Sequence, residues 1–351
     1  MADALAIRDT QAFPLREPVS GRRYTLVRLQ TENGLTGWGE CGGVTPRDLA
    51  TARQALADLP ATAYEIAWRR LANAPSVRAA VDMAMLELAA QHSRAPVYQF
   101  LGGPTRHKVR AMAPLEGAAA LERAQNAGFR AFSVAVPQHE WRNAGKGYVS
   151  SVATLMQRMR QAAGQGNDFV LDGGGRLVPG DAQSLASELS SFHLLWFDEP
   201  CSTTGLGAVK KIASENVTPL GFGRTLTAPS EFQDLLREDC VDIVRPHLHT
   251  HGITGIRRIA ALAEVYYIAV APFHDGGPVA TAAALHLAAS LPNFFVQQIP
   301  VPADPKDLEM RRSLLSTDVE KVSAGYASLI NAPGWGVTVN QRAVERYQER
   351  G

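Results

Sequence analysis

Residues 169–200 read "FVLDGGGRLVPGDAQSLASELSSFHLLWFDEP". A short apolar run ends on Asp172, a segment with room for a helix follows, and a second apolar run ends on Asp198 and Glu199. Strand, helical crossover and strand in that order make a βαβ unit, whose two strands lie parallel in one sheet. The three glycines after Asp172 put no side chains beside its carboxylate, and Pro200 stops the second strand.

The same alternation runs outward in both directions, from about Val109 to about residue 300. The strand candidates are "VRAMAPL" (109–115), "AFSVAV" (131–136), "FVLD" (169–172), "LLWFD" (194–198), "TPLGF" (218–222), "VDIVRP" (241–246), "YYIAVAP" (266–272) and "FFVQQ" (294–298). Eight such runs with helices between them predict a parallel (β/α)₈ barrel. A doubly wound open sheet is the alternative, but no G-x-G-x-x-G follows the first run, so the dinucleotide fingerprint is missing.

The first hundred residues differ. "RRYTLVRLQTENGLTGWGE" (22–40) alternates around Glu32-Asn33-Gly34, a hairpin in a small antiparallel sheet, and "SVRAAVDMAMLELAA" (76–90) has helical spacing. "APGWGVTVNQRAVERYQERG" (332–351) is again turn, short strand and helix. The expected organisation is an α/β chain in three parts: an N-terminal α+β capping domain (1–108), a modified (β/α)₈ TIM-type barrel (109–315) and a C-terminal segment (316–351) that returns to the cap.

Composition narrows the partners. Lys+Arg 35 against Asp+Glu 34 leaves a formal charge of +1 and no basic block, so neither nucleic acid nor an anionic membrane is expected. No apolar run reaches the ~20 residues of a membrane span. Three scattered cysteines argue for a reducing compartment, with cytoplasm the default. The expected partner is a small molecule.

Chemistry in such a barrel sits at the C-terminal ends of the strands. Asp172 and Asp198, at consecutive strand ends, are spaced to share a hard cation such as Mg²⁺ or to be held by an arginine. Each alone could instead cap the next helix.

"TLVRLQTENGLTGWGE", "AAVDMAMLELAAQHSRAPVYQFLGGPTRHKVRA", "LDGGGR", "WFDEP", "GITGIRRIAALAEVYYIAVAPF", "GPVATAAALHLAASLPNFFVQ" and "APGWGVTVNQRAVERY" together resemble the mandelate racemase/muconate lactonizing branch of the enolase superfamily, especially its sugar-acid dehydratases. The resemblance implies a capped barrel and a Mg²⁺ held by three acids after the third, fourth and fifth strands. It also implies proton abstraction alpha to a carboxylate, with lyase, isomerase or racemase outcomes, and a homo-oligomer.

On that pattern Asp172 matches the first metal acid, Asp198 the second and Glu199 its neighbour, but Arg224 in "PLGFGRTL" stands where the third is expected. The family's second-strand lysines correspond to Ser133 and Ala135, which cannot take a proton from a carbon acid. His247 stands at the family's sixth-strand Asp and Phe273 at its seventh-strand His, with His274 and Asp275 following. Gln298 replaces an eighth-strand acid, and Arg176 closes the glycine run.

Three readings remain open. The first is an altered lyase or isomerase on a small carboxylate or polyhydroxy acid, with no cofactor or weakly held Mg²⁺. In it Arg224 pairs with Asp172 or Asp198 or holds substrate, and His274 is the acid–base group oriented by Asp275. The second is a non-catalytic relative in which Arg224 is a counter-ion. The third places His247, His249 and His251 on one side of an extended segment around a transition metal; the plain alternative is a polar loop. Cys201 reads as a buried thiol rather than a nucleophile.

Overall fold

The structure is a computed structural model that describes residues 5–138, 145–203, 205–214 and 217–349. The chain starts with an antiparallel meander of β1 (Ile7–Arg16), β2 (Arg23–Thr31) and β3 (Thr36–Cys41). The turn between β2 and β3 has Gly34 at φ 85°, a conformation that glycine adopts without strain. The helix Pro75–His92 packs on this sheet so closely that a Cβ at Gly37 or Gly39 would run into the backbone carbonyls of Ala84 and Ala80. Sheet and helix form the α+β cap.

All eight apolar runs become barrel strands. They are β4 (Lys108–Leu115), β5 (Ala131–Ala135), β6 (Asp168–Asp172), β7 (Trp196–Asp198), β8 (Leu220–Phe222), β9 (Ile243–Val244), β10 (Ala269–Val270) and β11 (Gln297–Gln298). Neighbours from β4 to β10 pair in parallel, β11 pairs with β4, and a parallel bridge from Val270 to Phe294 closes the ring. Apolar side chains such as Met112, Val170, Trp196, Ile243 and Val296 fill the interior, so the barrel is a packed core rather than a pore.

After the barrel, β12 (Val322–Ser323) and β13 (Tyr326–Ser328) form a small hairpin, and β13 runs antiparallel to β4. The tail then returns to the cap: Glu349 N–H donates to Pro14 O, and the Trp335 indole donates to Trp38 O. The fold is a modified (β/α)₈ barrel with an α+β cap built from both ends of the chain.

Cap and barrel meet over the strand ends. Glu40, at the end of β3 and fully buried, accepts N–H groups from Gly277 and Ala280 at the start of the helix Pro278–Ser290, where the helix dipole favours an anion. Arg311 joins Glu17 of the cap to Glu320 and to the carbonyl of Gly276. The loops after β9 and β10 are therefore pressed from above by cap residues. No helix among the described residues is long and apolar enough to cross a membrane.

Candidate functional site

Asp172 and Asp198 are register partners at the ends of β6 and β7. Arg224, two residues beyond β8, reaches both. Its Nη1 and Nη2 donate to Asp172 Oδ2 and Oδ1 at 2.9 and 2.5 Å, a two-pronged fork, and its Nε lies 3.4 Å from Asp198 Oδ2. Burial pulls against its charge, but Asp198 and Asp172 outweigh burial and hold Arg224 above the usual arginine range.

Glu199 adopts a left-handed backbone, φ 42°, and turns its carboxylate sideways. Its Oε1 accepts the backbone N–H groups of Gly223 and Arg224, each at 2.7 Å. Glu199 thus holds the turn from which Arg224 projects. Burial, with Asp198 adding to it, pushes the Glu199 carboxyl up to about 6.

Gly173 has a different job from the one its sequence context implies. A Cβ there would collide with Glu199 O and Pro200, so the glycine lets the two strand ends approach, while Asp172 is crowded by Arg224 and by the N–H of Gly174.

A second cation, absent from the motif reading, lies deeper. Arg245 follows β9 and is fully buried; its Nε is 3.4 Å from Asp198 Oδ1, and its Nη2 donates to Gln298 Oε1 at 3.2 Å. Its guanidinium carbon lies 5.1 Å from the Trp196 ring and 5.4 Å from the Phe273 ring, and Arg224 is 5.1 Å from the same Phe273 ring. Arg245 Nε and Nη1 have no hydrogen-bond partner among the described residues. Burial draws its pKa down, with Asp198 opposing. Asp198, which also accepts the Trp196 indole N–H at 2.8 Å, is raised by burial and pulled back by Arg245 and Arg224. The signal was present in "VDIVRP", a cation ending an apolar run as in "PLGFGRTL".

Of the three histidines after β9, His247 and His249 keep their rings 5.4 Å apart and His251 turns away from them. The segment enters the helix Leu248–Val265 instead of staying extended, so a spacing of two does not hold all three on one side. His247 is the N-cap: its Nδ1 accepts the N–H of His249 at 3.1 Å. His249 faces the cap, 3.2 Å from Glu40 Oε1, and His251 bonds the carbonyl of Leu226 at 2.8 Å. His247, His249 and Asp275 bring possible ligand atoms within 4.8 Å of one another. With Nδ1 of His247 taken by a donor, its Nε2 carries the proton, which opposes metal binding there.

Asp275 was expected to orient His274, but it partners His247, its Oδ1 lying 3.5 Å from His247 Nε2. That N–H holds the Asp275 carboxyl well below the usual range. His274 points inward: it is fully buried, neither ring nitrogen has a partner among the described residues, and burial, with His249 and Arg311 adding to it, keeps it neutral. Phe273 and His247 form a parallel backbone bridge with their rings 5.0 Å apart, and side chains alternate along extended backbone, so Phe273 takes the mouth and His274 the interior. Ser133 is buried, Ala135 is exposed, and Arg176 is exposed on the glycine loop. Cys201 is buried, and burial pushes its thiol up to about 11.

A family model described as enolase C-terminal domain-like matches residues 116–343, and one for the mandelate racemase/muconate lactonizing enzyme N-terminal domain matches residues 13–102. The chain belongs to the mandelate racemase/muconate lactonizing branch of the enolase superfamily. Among curated relatives it is 27% identical over 347 residues to a D-galactonate dehydratase of Pectobacterium atrosepticum, covering 92% of this chain and 90% of that one. It is 26% identical to a D-mannonate dehydratase of Rhizorhabdus wittichii, covering 93% and 92%. Its fold matches a mandelate racemase/muconate lactonizing enzyme-like protein of Rubrobacter xylanophilus with a TM-score of 0.88 over 99% of each chain, at 22% identity. An enolase of Agrobacterium radiobacter with Na and L-malate bound matches with a TM-score of 0.88 at 27% identity, over 98% of this chain and 95% of that one.

Proposed function

We propose that this superfamily member is a lyase of the sugar-acid dehydratase type, binding a small hydroxy-carboxylate at the barrel mouth and working without a divalent metal. Its curated relatives named as dehydratases of D-galactonate and D-mannonate support the reaction class, and the malate bound to a structural neighbour supports the ligand class.

The observation that carries the metal-free reading is the Arg224 fork. Mg²⁺ needs oxygen ligands with free lone pairs and no adjacent cation. Here both Asp172 oxygens accept from Arg224, Oδ1 also accepts from Gly174, and Asp198 lies between two guanidiniums. This donor set does not fit a divalent ion.

Loss of water from a hydroxy acid breaks a C–H bond alpha to the carboxylate and a C–O bond on the next carbon. Asp275 accepts the alpha proton and, as the carboxylic acid so formed, gives it to the departing hydroxyl, which leaves as water, while His247 Nε2–H orients Asp275 and offers a hydrogen bond to the leaving oxygen. Asp275 is thereby restored as the carboxylate, His247 keeps its Nε2–H throughout, and the enol becomes a 2-keto acid. A neutral imidazole held as an N–H donor suits this role, and fixed positive charge at Arg224 stabilises the developing anion through its field.

The non-catalytic reading has its own support. The Asp275 carboxyl, held low by His247, is a weak base, and neither Ser133 nor Ala135 accepts a proton.

Metal-stripped protein incubated in D₂O and EDTA with a panel of aldonates and aldarates, followed by NMR, separates the cases. The expected result is 2-keto product at a rate EDTA does not change. Turnover that returns only with Mg²⁺ would refute the metal-free reading, and carboxylate binding without turnover or deuterium exchange would establish the non-catalytic one.

A further inference from the structure

Three carboxylates, Asp172, Asp198 and Glu199, lie at two consecutive strand ends, and Asp198 is the most deeply placed, 1% exposed. A carboxylate taken that far out of water stays charged only beside compensating charge. Arg224 commits both Nη groups to Asp172 and offers Asp198 only its Nε at 3.4 Å. One guanidinium therefore answers one carboxylate, and a second positive charge is needed for Asp198. Arg245 lies on the other side of it, with Nε 3.4 Å from Oδ1.

We infer that Arg224 and Arg245 together form a built-in dication that occupies the electrostatic role of a divalent ion, with Arg245 the half that keeps Asp198 ionised. The inference rests on the metal-free reading and adds a residue from the next strand to it. Arg245 is itself a buried cation, and three contacts make that tolerable: the Trp196 face, the Phe273 face and the Gln298 side-chain oxygen. Phe273 lies within cation–π distance of both guanidiniums, 5.1 Å from Arg224 and 5.4 Å from Arg245, so one ring helps to hold two cations. Phe273, where the resemblance leads one to expect a histidine, is thus part of the same replacement as Arg224.

The consequence is specific. Putting an acid back at position 224 is not enough to recover a metal site, because Arg245 still opposes a cation beside Asp198. Manganese titration by calorimetry and electron paramagnetic resonance on R224E, R224E/R245Q and R224E/R245K tests this. R224E/R245Q is expected to bind Mn²⁺ at least about tenfold more tightly than R224E, and R224E/R245K, which keeps the charge, to stay within about threefold of R224E. Equal affinity of R224E and R224E/R245Q, or tight binding by R224E/R245K, overturns the role of Arg245. Tight Mn²⁺ binding by the unmutated protein would instead defeat the metal-free reading.

Should R224E/R245Q not fold, arginine-labelled NMR of the unmutated protein decides. A slowly exchanging Arg245 Nε–H with an upfield ring-current shift supports the sandwich, and exchange as fast as that of exposed arginines refutes it.

Discussion

Replacing Arg224 with methionine keeps most of the side-chain volume and removes the cation. The variant loses two charge-assisted hydrogen bonds to Asp172 and leaves Asp198 facing a single guanidinium. Breaking a fully buried pair costs about 3–5 kcal/mol. Arg224 is 14% exposed and Asp172 is 20% exposed, so water can reach part of the orphaned carboxylate and the loss falls to about 2–3 kcal/mol. In a chain of this size that lowers the melting temperature by about 3–4 °C.

The pH dependence carries a sign. Burial already raises the Asp198 carboxyl, and losing Arg224 removes one of the two cations that oppose this, so the deficit is full at neutral pH and shrinks as pH falls through that raised folded value toward the unfolded value of about 3.9. Arg224→Lys, which keeps the charge but not the fork, should lose only about 1 kcal/mol. Calorimetric melting in EDTA between pH 4 and 8 measures all three proteins. Identical melting of Arg224→Met and the parent at pH 7, or a deficit that widens on acidification, would refute the assignment of Arg224 as counter-ion.

His247→Asn keeps an N-cap acceptor but removes the Nε2 donor, so melting should change by less than about 0.5 kcal/mol while turnover falls about 100-fold or more; His247→Ala should add about 1 kcal/mol of destabilisation, read by the same melts. Burial pushes the Glu87 carboxyl from 4.5 to about 8, with the N–H of Trp38 partly opposing. Its contribution to stability is present below pH 4.5 and lost as pH rises through 8, a fall of roughly 5 kcal/mol that Glu87→Gln should flatten in urea melts from pH 5 to 9. Gly276→Ala would drive a methyl into Glu40 and the His249 ring, so melting should drop by about 2 kcal/mol or more and ligand affinity with it, by calorimetry.

Much of the site was legible because its residues end apolar runs. Asp172 and Asp198 each close an apolar run and Arg224 is the first charge after one; register puts the two acids side by side and the Arg224 side chain reaches both. Arg245 carried the same signal in "VDIVRP", but it falls outside the positions where the family pattern directs attention. The three histidines part for a different reason: His247 and His249 stay beside each other and His251 does not. Spacing of two means one side only in an extended chain, and His247 turns out to be a helix cap. Asp275 was read with its sequence neighbour His274, whereas alternation at the strand end separates the two and brings Asp275 to His247.

The sequence by itself determined the barrel, the cap and the positions of Asp172, Asp198 and Arg224 where apolar runs close. These follow from local apolar periodicity and from which residue type closes each run, and local pattern is what a sequence displays. Tertiary structure alone decided that Asp198 lies between Arg224 and Arg245, that Phe273 covers both, and that His274 faces inward. Those facts depend on side-chain direction and burial among strands far apart in the chain. One residue of shift reverses a side chain, and depth in the barrel sets whether a charge needs a partner.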